Sequence, residues 1–369
     1  MKKAILLPRK YVQGRGVVSE VGAYVASLGQ KAVIVWGPKA RAASADKVLA
    51  SLAEAGVAAV EAGFKGESTH AEAERVAEAV RQSGAEVVLG VGGGKVIDTA
   101  KAAAIATKAG QVIVPTIASN DAPTSACTVW YSDDGVMVGF DLWPANPDYI
   151  IVDTDIIAKA PPRWFRSGLG DAFATWFEAD VNRVSHAPTC SGGVTTLTAQ
   201  AMARLCYETI REYGLQALAD VGAHVATQAV EKVVEATTLL SGVGWESGGL
   251  ATAHAVGNGL PAIPETHPYT HGEKVSFGIV TQLCIDDSVD PDLREDTVAF
   301  LARAGLPVTF EEVGIAGIGE ERLRAFGAQI AGPGSFVHNH PFEVSAQDAY
   351  DALVSADAIG QRIKAKVAP

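Results

Sequence analysis

The sequence predicts an α/β domain with a mainly parallel sheet, followed by an all-α domain. Three observations support this prediction. Strand-like and helix-like segments alternate as far as about residue 160, strand signals almost vanish after Pro161-Pro162, and 369 residues suffice for two domains with sizeable cores. We therefore assign residues 1–160 and 161–369 to the two domains. A cleft between them is the default position for a site.

The first domain is predicted from short apolar runs separated by segments of helical periodicity. Lys31–Trp36 is rich in β-branched residues and ends at a Gly-Pro pair, which is typical of a buried strand. The other predicted strands are 57–62, 86–89, 111–114 and 149–152, and the predicted helices are 42–55, 71–83 and 99–107. Two further runs, 128–131 and 136–140, flank a Ser-Asp-Asp-Gly turn and predict a β-hairpin. Such alternation indicates βαβ units.

The second domain is predicted from helical periodicity that glycine and proline interrupt. The predicted helices are 164–184, 194–213, 217–241, 246–257, 272–286, 291–303, 319–330 and 346–365. The sequence contains no internal repeat and no low-complexity tract.

Composition and charge exclude several kinds of partner. The formal net charge is −12 and no Lys/Arg cluster is present, so neither nucleic acid nor an anionic membrane is expected as a partner. Four widely spaced cysteines predict reduced thiols in a cytoplasmic protein. No apolar run has the length of a signal-peptide core or a membrane span. A closed homo-oligomer is the expected assembly.

A glycine-rich turn at residues 90–94 follows one predicted strand and leads into a helix. This geometry binds pyrophosphate, because glycines allow a close approach of the backbone and the first N–H groups of the helix point at the anion. Lys95 adds a point charge at the same end, and Asp98 lies in the first turn. The turn has neither the GxGxxG nor the Walker spacing, so a purely structural tight turn is the alternative. The first domain is thus predicted to bind a nucleotide.

A divalent metal site is the hypothesis for the helical half. Asp171, His254 and His271 come from three separate segments, and a carboxylate with two imidazoles matches a metal site that leaves one position open for substrate. Asp171 as a helix cap and either histidine as a core residue are the alternatives. Spacing alone does not select these three, since other histidines compete with them: His267, His338 and His340.

The segment 115–125 follows a buried strand and is rich in hydroxyl groups. It also carries one carboxylate, Asp121, at the carboxyl end of the sheet, where open α/β folds bind ligands. A polar turn with no ligand is the alternative.

Together these motifs resemble the metal-dependent polyol dehydrogenases of the iron-containing alcohol dehydrogenase family, a group that includes the glycerol dehydrogenases and is related to dehydroquinate synthase. The resemblance covers most of the chain, and its motifs occur in the family's order. They are GVGGGKVIDTAKA (90–102), VPTIASNDAPTSA (114–126), NPDYIIVDTDII (146–157), GLGDAFATWFEA (168–179), TAHAVGNGL (252–260), HGEKVSFGIVTQL (271–283) and FVHNHPF (336–342). The resemblance implies a dehydroquinate-synthase-like fold.

The resemblance also implies roles for particular residues. Asp171, His254 and His271 would hold Zn²⁺, with Fe²⁺ as the alternative ion. Asp121 would contact the polyol, so the implied catalytic residues are Asp121, His254 and His271. The implied nicotinamide dinucleotide site comprises Gly37, Lys39, Gly93, Gly94, Lys95, Asp98, Thr116, Ser119, Ser125, Cys127 and Tyr131.

The sequence departs from the family pattern at several of these positions. Cys127 stands where an aliphatic residue is usual, and Asn120 where threonine is common. Gly37 stands where NAD-preferring members carry an aspartate for the adenosine ribose. With Lys39 nearby, a 2′-phosphate would meet less repulsion, so NAD and NADP are both expected candidates.

The expected reaction is reversible hydride transfer between the nicotinamide and a small vicinal diol, such as glycerol, which becomes dihydroxyacetone. An NADPH-dependent reductase of 2-oxo acids or other small hydroxy-carbonyl compounds is the alternative enzyme. A lyase like dehydroquinate synthase, or a dehydrogenase of a phosphorylated substrate, would need a basic pocket that the sequence does not show. A non-catalytic nucleotide-binding protein is disfavoured because the Asp/His/His set and Asp121 are intact.

Overall fold

The computed structural model of the protein describes residues 1–367, which form two compact units. The first comprises residues 6–165 and 219–242, and the second comprises residues 1–5, 166–218 and the chain from residue 243 onward. Residues 219–242, which the sequence analysis assigned to the helical domain, thus cluster with the α/β unit.

The first unit contains a six-stranded parallel sheet and an antiparallel hairpin. The strands are β1 Lys10–Gly14, β2 Lys31–Trp36, β3 Ala58–Gly63, β4 Val87–Gly92, β5 Gly110–Pro115, β6 Cys127–Tyr131, β7 Met137–Leu142 and β8 Tyr149–Asp153. The sheet order is β1-β8-β5-β4-β2-β3, and β6 pairs with β7. Every residue of β4 and β8 is buried, as expected for a parallel sheet covered on both faces.

The helices are distributed over both units. They are α1 Val21–Ala26, α2 Pro38–Glu54, α3 His70–Ser83, α4 Gly94–Thr107, α5 Thr154–Lys159, α6 Pro162–Ser185, α7 Leu197–Gly222, α8 Gln228–Glu235, α9 Ser241–Gly248, α10 Thr252–Gly259, α11 His271–Ile285, α12 Pro291–Arg303, α13 Glu320–Ile330 and α14 Ala346–Val367. A π-helix, Ala236–Leu240, joins α8 to α9. Among the described residues, no helix is long and apolar enough to span a bilayer.

The predicted fold class is confirmed: a parallel α/β region is followed by a helical region. Three local differences are informative. Strand β1 was not predicted, and the helix predicted at 217–241 is broken at Gly222 and again at the π-helix. Helix α2 begins at Pro38 rather than at residue 42, with proline at the first helical position, where its missing N–H costs nothing.

Candidate active site

The carboxyl ends of β2 and β4 mark the point where the order of the sheet reverses. The two strands are neighbours, with Trp36 opposite Val91 in the register. The chain leads from β2 outward to β3 on one side and from β4 to β5 on the other. Open α/β sheets bind ligands in the crevice beyond such a reversal. The positions after these two strands, Gly37 and Gly93, were both predicted to contact the cofactor.

A larger side chain in the glycine turn after β4 would require neighbouring side chains to move. A Cβ atom at Gly93 would lie 2.7 Å from Ile117 Cδ1, and one at Gly94 would lie 2.6 Å from Asn120 Nδ2. Gly93 is the N-cap of α4 and provides no side-chain cap for the helix. The start of α4 therefore packs closely against the side chains of the 117–120 segment, and Gly93 leaves the first N–H groups of the helix without a side-chain cap.

Lys95 lies at this turn beside two groups from other segments. Its Nζ is 2.5 Å from Glu67 Oε2 and 4.7 Å from the centre of the Tyr131 ring. The Lys95 ammonium therefore lies at this turn, next to Tyr131, another residue of the implied dinucleotide site. Glu67, which the sequence analysis did not identify, partly balances that charge.

Asp98 is buried and forms an ion pair inside the protein. It is 4% exposed, and its Oδ1 lies 2.8 Å from Nζ of Lys101, which is itself 1% exposed. Lys101 Nζ also donates to three backbone carbonyls of one loop: Ala122 (3.0 Å), Ser125 (3.3 Å) and Cys127. The pair thus fixes the loop that carries several of the predicted cofactor residues.

Four other predicted cofactor residues of this unit lie in the loop after β5 and at the start of β6. All of these are buried, with exposed fractions of 8% or less: Thr116, Ser119, Ser125 and Cys127. The N–H of Thr116 donates to Gly92 O at 3.0 Å, which ties the end of β5 to the glycine turn.

Asp121, the implied polyol contact, has a partner that the sequence analysis missed. Ser241 Oγ donates to Asp121 Oδ2 at 2.9 Å, and Ser241 directly follows the π-helix. At the next residue, Gly242, an added Cβ would lie 1.8 Å from Thr124 Oγ1. The end of the π-helix therefore packs directly on the Asp121 loop. π-Helices are frequent at functional sites, but their position is not readable from apolar periodicity.

In the helical unit, the structure brings Asp171, His254 and His271 together. Their ligand atoms all lie within 4.8 Å of one another, and among residues 1–367 no other group of three His, Cys, Asp or Glu side chains does so. Asp171 Oδ1 lies 3.3 Å from His254 Nε2 and 3.2 Å from His271 Nε2. Asp171 and His254 are buried, whereas the side chain of His271 is 35% exposed. The cluster therefore has one open side.

Small residues allow the three helices that carry the cluster to approach closely. A Cβ at Gly272, next to His271 on α11, would lie 1.8 Å from Ser167 O of α6. One at Gly278 would lie 2.2 Å from Ala253 O, next to His254 on α10. Helix α11 begins with a capping box, in which Thr270 and Glu273 exchange hydrogen bonds. The cap and the glycine contacts together determine where His271 lies.

The Asp171 carboxylate fits a metal ion. Both of its oxygens are buried and have no hydrogen-bond partner among the described residues, although two imidazole nitrogens lie within 3.3 Å. Buried carboxylates are normally hydrogen-bonded or bound to metal. Burial acts to raise the pKa of Asp171, but the two imidazoles outweigh it and hold that pKa far below its usual value. The carboxylate is therefore ionised, as a metal ligand must be.

Glu178 is a further residue that the sequence analysis missed. Its carboxylate accepts from His254 Nδ1 at 2.5 Å and from the backbone N–H of His254 at 2.8 Å. Burial would lower the pKa of His254, but Glu178 and Asp171 outweigh burial and raise it. Two sequence signals were available: Glu178 lies in the 168–179 motif, and its spacing from Asp171 places both residues on one face of α6.

The competing histidines do not join the cluster. His267 and His338 are exposed, and each ring contacts a backbone carbonyl, Pro261 O and Gly332 O respectively. His340 is buried, and its Nε2 lies 2.8 Å from Thr252 Oγ1. Of the arrangements that the sequence left open, the structure assembles the Asp171/His254/His271 set.

Comparison with known proteins agrees with this geometry. Residues 8–154 match the family model described as iron-containing alcohol dehydrogenase. The chain is 41% identical to glycerol dehydrogenase of Pseudomonas putida, over 98% of this chain and 99% of that one. It is 43% identical to glycolaldehyde reductase of Halobacterium salinarum, over 97% and 98% of the two chains. The solved structure of glycerol dehydrogenase from Schizosaccharomyces pombe superposes with a TM-score of 0.94 at 35% identity, covering 99% of this chain and 93% of that one.

The fold and these relationships define an oxidoreductase that acts on a CH–OH group. The chain belongs to the iron-containing alcohol dehydrogenase family. Membership implies a metal and a nicotinamide cofactor, which agrees with the cluster in the helical unit and with the glycine turn at the sheet reversal.

Proposed function

We propose that this protein is a metal-dependent dehydrogenase of small vicinal diols that interconverts glycerol and dihydroxyacetone. The observation that carries the proposal is the Asp171/His254/His271 cluster, in which the buried carboxylate oxygens accept no hydrogen bond and His271 leaves one side open. The names of the relatives, glycerol dehydrogenase and glycolaldehyde reductase, support a small polyol or hydroxyaldehyde as the substrate.

The two imidazoles and the carboxylate would hold one divalent ion, for which we propose Zn²⁺. Such an ion supplies Lewis acidity that lowers the pKa of an alcohol hydroxyl. Asp171, His254 and His271 would hold the ion from three packed helices, and the partly exposed side chain of His271 marks the side from which substrate would reach it. Fe²⁺ suits the same ligand set, and metal analysis of purified protein decides between the two ions.

The cofactor would bind at the reversal of the sheet order. Gly93 and Gly94 allow the pyrophosphate to approach the uncapped N-terminus of α4, and Lys95 adds positive charge there. The loop fixed by Lys101 would line the nicotinamide, which supplies the hydride acceptor. Gly37 leaves space for the adenosine ribose whether or not it carries a phosphate, because no atom lies within 4 Å of a Cβ built there.

Asp121 would orient a second substrate hydroxyl and so favour diols over simple alcohols. Its carboxylate is half-buried, and Ser241 already donates to Oδ2. A substrate hydroxyl would donate to the same carboxylate, which has more than one acceptor position.

One matrix of initial rates tests this function. Glycerol, 1,2-propanediol and a 2-hydroxy acid are each assayed with NAD⁺ and with NADP⁺, before and after chelation. We expect the two diols to react, the hydroxy acid to react poorly, and all rates to fall after chelation and recover with added Zn²⁺ or Fe²⁺. Rates that favour the 2-hydroxy acid, or that survive complete metal removal, would contradict the proposal.

A further inference from the structure

Glu178 occupies an unusual position for an acidic residue. Its side chain is 0% exposed, and it lies on α6 two helical turns beyond Asp171. Burying a carboxylate is costly unless hydrogen bonds satisfy it. Glu178 receives three hydrogen bonds, and all of them come from the start of α10.

The two carboxylate oxygens of Glu178 have different partners. Oε1 accepts from the backbone N–H groups of Ala251 (2.9 Å) and His254 (2.8 Å), which belong to the first turn of α10 and lack partners within that helix. Oε2 accepts from the ring nitrogen Nδ1 of His254 at 2.5 Å. One oxygen therefore caps the helix, while the other fixes the imidazole.

This arrangement determines which ring nitrogen of His254 carries the proton. An ionised carboxylate only accepts hydrogen bonds, so the Nδ1 that faces Oε2 must be the donor. In the neutral ring the other nitrogen, Nε2, then carries the lone pair, and Nε2 is the nitrogen that lies 3.3 Å from Asp171 Oδ1. The same contact restrains rotation of the ring.

We infer that Glu178 is a positioning residue for the metal centre: through His254 Nδ1 it selects the tautomer and ring orientation in which Nε2 can bind the ion. This inference rests on the proposed function, because it assumes that Asp171, His254 and His271 hold a metal. It adds a residue that contacts neither the ion nor the substrate. Carboxylates that hold metal-binding histidines in this way typically change metal affinity about 10–100-fold when they are replaced.

The isosteric variant Glu178→Gln separates this role from helix capping. If the glutamine carbonyl keeps the two backbone N–H groups of α10, its NH₂ group faces Nδ1 and favours the tautomer with the proton on Nε2, which cannot bind metal. If the side chain flips, its NH₂ group opposes the two backbone donors. Capping and metal binding therefore cannot both be preserved, whereas side-chain volume is unchanged.

Two quantities are measured. The Zn²⁺ affinity of the metal-free protein is determined by competition with a chromophoric chelator at fixed pH. The thermal midpoint of unfolding is determined for the same metal-free form. For Glu178→Gln we expect affinity to fall about 10–100-fold, with a thermal midpoint close to wild type. Glu312→Gln is the matched control: that carboxylate accepts the N–H of Val308 at 3.0 Å in the same unit, but it contacts none of the three ligands. Its affinity should equal that of wild type.

Wild-type affinity in Glu178→Gln together with an unchanged thermal midpoint would overturn the inference. Wild-type affinity with a lowered midpoint would support it, because the glutamine would then keep its carbonyl on Nδ1 and lose the cap. If Glu178→Gln does not fold, Glu178→Asp tests the inference instead. Its shorter side chain withdraws the carboxylate from His254 Nδ1 by one methylene, so Zn²⁺ affinity should also fall. Unchanged Zn²⁺ affinity in Glu178→Asp would overturn the inference. His254→Ala separates this failure from failure of the proposed function. If wild type binds Zn²⁺ and His254→Ala does not, but the Glu178 variants match wild type, only the positioning role is wrong. If wild type itself binds no metal, both are wrong.

Discussion

At the scale of single residues, the position after β2 provides a test of cofactor choice. Gly37 has room for a side chain, since a Cβ there meets no atom within 4 Å, and Lys39 is exposed nearby. We expect Gly37→Asp to raise the ratio of kcat/KM for NAD to kcat/KM for NADP about tenfold or more, or about 1.4 kcal/mol. The physical reason is that a carboxylate accepts from the ribose hydroxyls but repels a 2′-phosphate.

The control for this change is Gly37→Asn, which has nearly the same shape without the charge. Its ratio should stay within a few-fold of wild type. If both variants shift the ratio equally, the effect is steric. An unchanged ratio in Gly37→Asp would show that the adenosine ribose does not lie beside β2. Initial rates with both cofactors measure each outcome.

Single residues also show where sequence reasoning succeeded and where it could not. Asp171, His254 and His271 were identifiable because each lies in a motif shared with the family. Glu178 lies in the same motif as Asp171, but the motif gave it no role, because a glutamate in a helical segment is most often solvent-exposed. Ser241 lies outside the quoted motifs. Their importance arises from what packs against them, His254 in one case and Asp121 in the other.

At the scale of elements, the buried Lys101–Asp98 pair should be essential for the stability of the α/β unit. Lys101→Met would leave the Asp98 carboxylate buried without its cation and three carbonyls without a donor. Removing one partner of a buried ion pair typically costs about 3–5 kcal/mol. We therefore expect a clearly lower urea midpoint for this variant.

Two comparisons make that expectation specific. The double variant Asp98→Asn/Lys101→Met removes the stranded charge, so it should be more stable than Lys101→Met alone. Arg183→Met breaks a pair of the same spacing with Asp180 on the exposed face of α6, and should cost about 0.5 kcal/mol or less. Equal urea midpoints for Lys101→Met and Arg183→Met would contradict the proposed role of the buried pair.

Elements were predicted well where burial leaves a simple pattern. Strand β2 was predicted with its observed bounds because five buried apolar residues follow Lys31, and α12 because Pro291 marks its start. Edge strand β1 was missed because Lys10 and Gln13 interrupt its apolar residues and it is paired on one side only. The π-helix was missed because one wide turn does not change the apolar periodicity of a segment.

At the scale of the whole molecule, metal binding should be visible as thermal stability. The ion would satisfy the unpartnered oxygens of Asp171 and link α6, α10 and α11, and a ligand at 100 times its Kd stabilises the native state by about 2.7 kcal/mol. We expect Zn²⁺ to raise the thermal midpoint of the metal-free protein, as measured by differential scanning fluorimetry.

Mg²⁺ at the same concentration is the control ion, because it prefers oxygen ligands and a site with two imidazoles suits it poorly. Asp171→Asn is the control variant, and its midpoint should not respond to Zn²⁺. A wild-type midpoint that is indifferent to Zn²⁺, or that responds equally to both ions, would argue against a metal site at these residues.

The path of the chain between the two units limits how the protein can be dissected or recombined. The amino-terminal residues join the helical unit, where Lys3 forms a bridge with Val194. Residues 219–242 return to the α/β unit, where Thr238 bonds the hydroxyls of Tyr11 and Thr124. A single cut therefore cannot release either half intact. A chimaera that exchanges the nucleotide-type half with a relative would have to transfer residues 219–242 along with residues 6–165, or it would lose the Ser241 contact that holds Asp121.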